Sequence, residues 1–248
     1  MTLIITELTS FGIAMAADTA ITQVSNTTGK YSISPRSASK LQAIPYLKAG
    51  ISCWGLGTIS SMGTDLWIQQ FISKQNHLTT LADFASELAK ELNSVNISRN
   101  VGKNNLGFHL AGFEQVGGKS AASFYHVHDG PSQVVPSANP SNFNANHDCP
   151  PANYITLISQ GGYYVTRNGD YVLYATLDHL VQNFFQNLRP VGIVFPNSTT
   201  LLDRAEYLIF WVRTMSEIYR LSNLHPGIGG RIDFMTISAN GIVNSGSR

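Results

Sequence analysis

The sequence predicts an α+β fold: a four-layer αββα sandwich in which two stacked antiparallel sheets are flanked by helix pairs. Three observations carry this expectation. Short apolar runs of strand character, several of them in hairpin pairs, occur at the start, middle and end of the chain. Two pairs of longer segments with helical periodicity separate them. Two helix pairs cannot both sit between two sheets, so the economical packing places one pair on the outer face of each sheet.

The elements follow in order. Residues 2–8 and 12–17 are extended and apolar, and Thr9-Ser10-Phe11 before Gly12 supplies the reversal. A turn about Ser10 would set Thr2 opposite Asp18, although a slip of one residue would exchange the faces. Residues 40–44 and 49–54 form a second pair around Pro45-Tyr46-Leu47-Lys48, and Trp54-Gly55-Leu56-Gly57 leads into a helix over 58–74. Thr80 with Asp83 caps the next helix, where Leu81, Phe84, Ala85, Leu88 and Leu92 recur at helical spacing. Strands are expected over 106–113 and 121–127, joined at Gly117-Gly118. Residues 130–153 are rich in Pro, Asn and Ser and read as a long surface loop. A strand over 154–159 ends at Gly161-Gly162, and two helices follow over 177–188 and 201–221. The second presents Leu201, Ala205, Leu208, Val212, Met215 and Ile218 on one face. Strands over 231–238 and 241–243 close the chain.

At 248 residues with no internal repeat or dividing linker, the chain reads as one domain over 1–248 with a loop insertion at about 130–153. Hydrophobic residues at 43% suffice for a large core. Charged residues at 12% are about half the usual share, which suggests surface hidden against further copies of the chain; a surface rich in Ser, Thr and Asn on a monomer is the alternative. A net charge of +1 without a basic run gives no electrostatic case for nucleic acid or an anionic membrane. No run approaches the ~18 apolar residues of a membrane span. The apolar stretch at residues 3–17 lacks a positive start, the first basic residue being Lys30, so a signal peptide is not expected. Cys53 and Cys149 make no disulfide framework, and a reducing cytoplasmic setting is the simplest reading.

The chemistry begins at Thr2. A small second residue favours removal of Met1, which would leave a free α-amine beside the Thr2 hydroxyl. Such an amine titrates near ~8 and can serve as base for its own side chain. Asp18 closes an apolar run, and a carboxylate there needs a charged or hydrogen-bonding partner. Lys40 is that partner: the turn near Leu47 returns the chain to Trp54 beside it. One sheet end would then collect Thr2, Asp18, Lys40 and the Trp54-Gly55 backbone, whose amides could face an oxyanion. A structural ion pair closing the sheet end is the plainer reading of Asp18 and Lys40.

Met1-Thr2, the string Ala16-Ala17-Asp18-Thr19-Ala20-Ile21-Thr22, Lys40 with Ile44, Ser52-Cys53-Trp54-Gly55-Leu56-Gly57 and Ile228-Gly229-Gly230 before a strand follow in an order and near spacing that resemble proteasome β-type subunits and their bacterial relatives. These are N-terminal-nucleophile (Ntn) hydrolases. The resemblance covers most of the chain outside 130–153. It implies the αββα fold, peptide-bond hydrolysis by an N-terminal threonine, and a homo-oligomer, in the family's manner a ring. It makes Thr2 the nucleophile, Lys40 the lysine and Asp18 the carboxylate that holds it. Where the family has a serine before its mid-chain Gly-Gly, this chain has Gln160, with Ser159 one residue earlier. Near the end, His225 and Ile228 replace the family's aspartate and serine. Ser159, Gln160 and His225 are therefore candidate accessory hydrogen-bonding groups.

His126, His128, His147 and Cys149 are acceptable zinc ligand types, but their spacing matches no established site, and neither a metal nor another cofactor is expected. Two functional readings stand: a threonine-type peptidase or amidohydrolase acting on peptide or protein substrates, and a catalytically silent proteasome-like subunit serving assembly or binding.

Overall fold

The computed structural model describes residues 2–24, 31–95, 106–129, 142–170, 172–196, 198–222 and 227–248. Its first half runs β1 (Leu3–Thr9), β2 (Gly12–Asp18), β3 (Ala20–Val24), β4 (Tyr31–Ser37), β5 (Leu41–Ile44), β6 (Ala49–Trp54), β7 (Thr58–Ile59), β8 (Met62–Gly63), α1 (Thr64–Lys74) and α2 (Leu81–Ser94). The second half runs β9 (Gly107–Val116), β10 (Lys119–His128), β11 (Asn144–Cys149), α3 (Pro151–Ser159), β12 (Tyr164–Gly169), α4 (Val172–Leu188), α5 (Leu201–Leu221), β13 (Ile232–Ser238) and β14 (Gly241–Ser247).

Two antiparallel sheets carry the fold, ordered β12-β1-β2-β13-β14 and β11-β10-β9-β6-β5. Three apolar layers follow from the strict alternation of strand side chains. Ile4, Leu8, Ile13, Met15, Met235 and Ile237 of the first sheet meet Leu41, Ala111 and Phe124 of the second. On the outside of the second sheet, Ile51, Phe108, Leu110 and Val127 pack against Phe71, Phe84 and Leu88 of α1 and α2. On the outside of the first, Leu3, Ile5, Ala14 and Ala16 pack against Leu208, Trp211, Val212 and Met215 of α5, with Tyr174 of α4. The α+β sandwich is therefore as expected.

Local chemistry sets the helix starts. Thr80 accepts the Asp83 N–H at the head of α2, and Thr200 with Asp203 forms a reciprocal capping box at the head of α5. All five apolar positions expected of α2 are buried. No described helix is long and apolar enough to cross a membrane.

Several expectations need correction. The helix from 58 starts at Thr64, because Ser60 and Ser61 take φ of 48° and 66° and turn a small β7–β8 hairpin. The strand expected over 154–159 is helix α3. Pro151 occupies its first turn, and Tyr154 and Ile158, one helical turn apart, pack into the inter-sheet layer. A short apolar run does not distinguish strand from helix by period alone. Of the loop expected at 130–153, residues 144–149 pair with β10 as β11 and 151–153 open α3, while 130–141 lie outside the described residues. Strands β3, β4 and β12 were not anticipated, and α4 starts at Val172 rather than at 177.

Candidate active site

The register of the first hairpin is one residue from the expected one. Thr9 pairs with Gly12 and Ile4 with Ala17, so the loop is Ser10-Phe11 and Asp18 falls opposite Leu3 rather than Thr2. A two-residue loop turns between its residues, whereas a turn centred on Ser10 would have held three. Thr2 and Asp18 still share one end of the sheet, where Asp18 accepts the N–H of Leu3, the residue after Thr2.

At that end the Asp18 carboxylate is fully enclosed. Its Oδ1 accepts the Leu3 N–H at 2.9 Å, and its Oδ2 accepts those of Ala20 at 3.1 Å and Gly229 at 3.3 Å. Lys40 Nζ donates to both oxygens at 3.0 and 3.1 Å. The pair is 7% exposed on the lysine side and 0% on the aspartate side. Removing such charges from water is costly unless every oxygen finds a donor, and here four donors converge on one carboxylate. Asp18 belongs to one sheet and Lys40 leads into the other, so the ion pair also ties the two sheets together.

The loop before β13 completes the enclosure. The Thr19 N–H donates to the Arg231 carbonyl at 3.0 Å and the Ala20 N–H to the Gly229 carbonyl at 3.0 Å. Gly230, at φ +74°, approaches Thr19 so closely that a Cβ there would lie 2.7 Å from its Oγ1. The C-terminal glycine pair thus wraps the residues that present Asp18.

Thr2, Lys40, Trp54 and Gly55 line one cleft of about 70 Å³, together with Ala20–Thr22 and the 56–57 segment. Lys40 sits beside β6 because the Cys53 N–H donates to its carbonyl at 2.9 Å. Amides alternate between the two edges of a strand, so with the Cys53 N–H directed to Lys40 the Trp54 N–H faces β9, while Gly55, at φ +97°, lies just past the end of β6. Of the two amides expected at an oxyanion, that of Trp54 is therefore turned toward β9, and Gly55 lies in the segment that lines the cleft. The Trp54 ring turns inward, over Gly107, where a Cβ would lie 2.6 Å from it. Cys53 also lines the cleft, but burial outweighs the nearby Lys40 charge and pushes its thiol up to about 12. It is not a competing nucleophile.

The accessory candidates separate. Ser159 and Gln160 are exposed at the C-terminal end of α3, a helix whose Tyr154 hydroxyl donates to the Thr9 carbonyl at the far end of β1. They lie at the opposite sheet end from Thr2. His225 falls outside the described residues.

Another turn stands next to Thr2, at the end of β12. The Asp170 N–H donates to the Thr2 carbonyl at 2.7 Å. Gly169, at φ +93°, comes so near that a Cβ would lie 1.8 Å from that oxygen. The Tyr219 hydroxyl of α5 donates to Asp170 Oδ2, and burial, together with this contact, raises the tyrosine pKa. The sequence carries a signal for this turn: Asn168-Gly169-Asp170 between an extended run and a helical one.

His126 and His128 share a strand face, with ring centroids 4.3 Å apart. Among the described residues, no three His, Cys, Asp or Glu side chains converge to hold a metal.

No protein-family model matches the chain. No curated protein matches it either. Among solved structures, it is similar to the Anbu Gly-1 mutant from Hyphomicrobium sp. strain MC1, with TM-score 0.53 and 14% identity over 100% of this chain and 87% of that one. It is also similar to the Anbu ancestral beta-subunit from Yersinia bercovieri, with TM-score 0.45 and 15% identity over 98% and 86% of the two chains. At such identity the likeness speaks to fold, and the fold is proteasome-like.

Proposed function

We propose that this chain is a proteasome-like N-terminal threonine hydrolase of amide bonds. The reading rests on one observation: Lys40, held by the buried and multiply hydrogen-bonded Asp18 carboxylate, lines the same cleft as Thr2. With Met1 removed, Thr2 Oγ attacks a peptide carbonyl and its own α-amine takes the proton through a water. The Lys40 ammonium stabilises the alkoxide, and Asp18 holds Lys40 charged and oriented. The Gly55 N–H, in the segment that lines the cleft, meets the oxyanion. Collapse of the tetrahedral adduct breaks the C–N bond, the α-ammonium returning its proton to the leaving amine, and water then hydrolyses the acyl ester and regenerates Thr2. Peptide or protein segments are the substrates, and homo-oligomers are the assembly.

Intact mass reports whether Met1 is lost. A β-lactone or epoxyketone should then form an adduct on Thr2, and Thr2→Ala should abolish both labelling and peptide turnover. Processed protein that neither labels nor cleaves a broad peptide panel would defeat this reading.

A second reading, a catalytically silent subunit, draws on the size of the cleft. At about 70 Å³ it is far below the ~300 Å³ of ordinary ligand pockets, so a substrate would have to lie along its rim. Retention of Met1, capping the amine, favours this reading.

A further inference from the structure

Assigning Thr2 as the nucleophile leaves several buried polar side chains without a role, His109 among them. His109 lies on β9 in the inter-sheet layer, 0% exposed. Its Nδ1 is 3.0 Å from Thr6 Oγ1 on β1, and its Nε2 is 2.7 Å from Asn168 Oδ1 on β12. Burial lowers its pKa to about 4, so the ring is neutral and carries one N–H. An amide oxygen can only accept, which puts that hydrogen on Nε2 and leaves Nδ1 to accept from the Thr6 hydroxyl. One tautomer satisfies both partners.

His109 thus grips two strands of the opposite sheet at once. β1 carries Thr2, and β12 ends in the turn that touches Thr2. Asn168 pairs with Ile4, Gly169 pairs with Leu3, and Asp170 donates to the Thr2 carbonyl. The approach of Gly169 to Thr2 leaves no room for a Cβ, so a small shift of β12 would be felt directly at Thr2.

We propose that His109 is a positioning residue: by anchoring Asn168 and Thr6 from the opposite sheet, it sets the 168–170 turn and, through it, the main chain of Thr2. The consequence for catalysis rests on Thr2 being the nucleophile; the mechanical link does not. A plain filler role is the alternative, since the ring also packs edge-on against Phe124 at 5.1 Å and His126 at 5.3 Å.

The test pairs two readouts: hydrogen exchange of the Asp170 amide, and β-lactone labelling of processed Thr2. His109→Phe keeps the bulk and removes both hydrogen bonds, His109→Gln restores a donor near Nε2, and Asn168→Ala removes the link from the other side. Asp170 exchange should accelerate at least ~10-fold in His109→Phe and Asn168→Ala and return toward wild type in His109→Gln. The maximal labelling rate should fall roughly 10- to 100-fold in the first two with reagent affinity unchanged, as a misplaced nucleophile requires. Unchanged Asp170 protection in His109→Phe and Asn168→Ala would overturn the proposal, as would a loss that His109→Gln does not mend. If His109→Phe fails to fold, Asn168→Ala decides by the same two readouts. Wild-type protein that does not label, with Asp170 exchange still responding, would sink the hydrolase reading and leave the positioning role standing.

Discussion

Replacing Lys40 with Met keeps a long apolar stem in the same space and removes only the ammonium. The Asp18 carboxylate then stays buried at 0% exposure with three backbone donors, at 2.9, 3.1 and 3.3 Å. Deleting one partner of a buried pair costs about 3–5 kcal/mol, because the remaining charge is uncompensated. The three amides retain part of that compensation, so a loss near the lower end, about 3 kcal/mol, is expected. Urea unfolding should show a lower midpoint with an unchanged slope. A double-mutant cycle with Asp18→Asn should give a coupling of about 2 kcal/mol. Labelling of processed Thr2 should slow as well: one preorganised charge is worth about 3 kcal/mol of barrier, or roughly a hundredfold in rate. A stability loss under about 1 kcal/mol, the range of exposed pairs, would refute the buried-pair argument. Full labelling in a folded Lys40→Met protein would remove Lys40 from the chemistry.

Gly169→Ala should destabilise by roughly 2 kcal/mol or more and suppress Thr2 labelling, since the added Cβ meets the Thr2 carbonyl at 1.8 Å at a φ of +93°; thermal melts and adduct mass measure both. Thr80→Ala removes the α2 cap and should cost about 1 kcal/mol while leaving labelling unchanged, because that helix starts away from the cleft. Stability should also depend on His109 below neutrality. Its folded pKa of about 4 lies under the free value of 6.5, so as pH falls from 6.5 to 4 the unfolded chain gains a proton that the folded chain refuses. The stability advantage of wild type over His109→Gln should therefore shrink by about 3 kcal/mol between pH 7 and 4. Asp148, raised to about 6 by burial, and Glu7, also raised by burial, act in the opposite sense in both proteins and cancel in the comparison. A pH-independent difference in urea midpoints would contradict the neutral, buried imidazole.

The sequence by itself determined the elements with long, strong patterns and the ends of the chain's polar exceptions. Helix α2 could be read because its Thr80 cap and its apolar spacing agreed, and α5 could be read from helical spacing alone over the span expected. Asp18 and Lys40 were legible because a carboxylate at the end of an apolar strand must find a partner, and Lys40 was the available one. Tertiary structure alone decided three other matters. Residues 154–159 are too short a run for period to choose between helix and strand; packing of Tyr154 and Ile158 into the inter-sheet layer made them a helix. The register of the first hairpin depended on whether its loop held two residues or three, and pairing with β12 and β13 on either side accompanies the two-residue loop. The neighbours of Thr2 were likewise hidden. Asp170 comes to Thr2 across a strand pairing, and His109 reaches Thr6 and Asn168 from the other sheet. Such contacts join residues far apart in sequence, where no local spacing records them, and they exist only once two sheets have stacked and excluded water from the space between them.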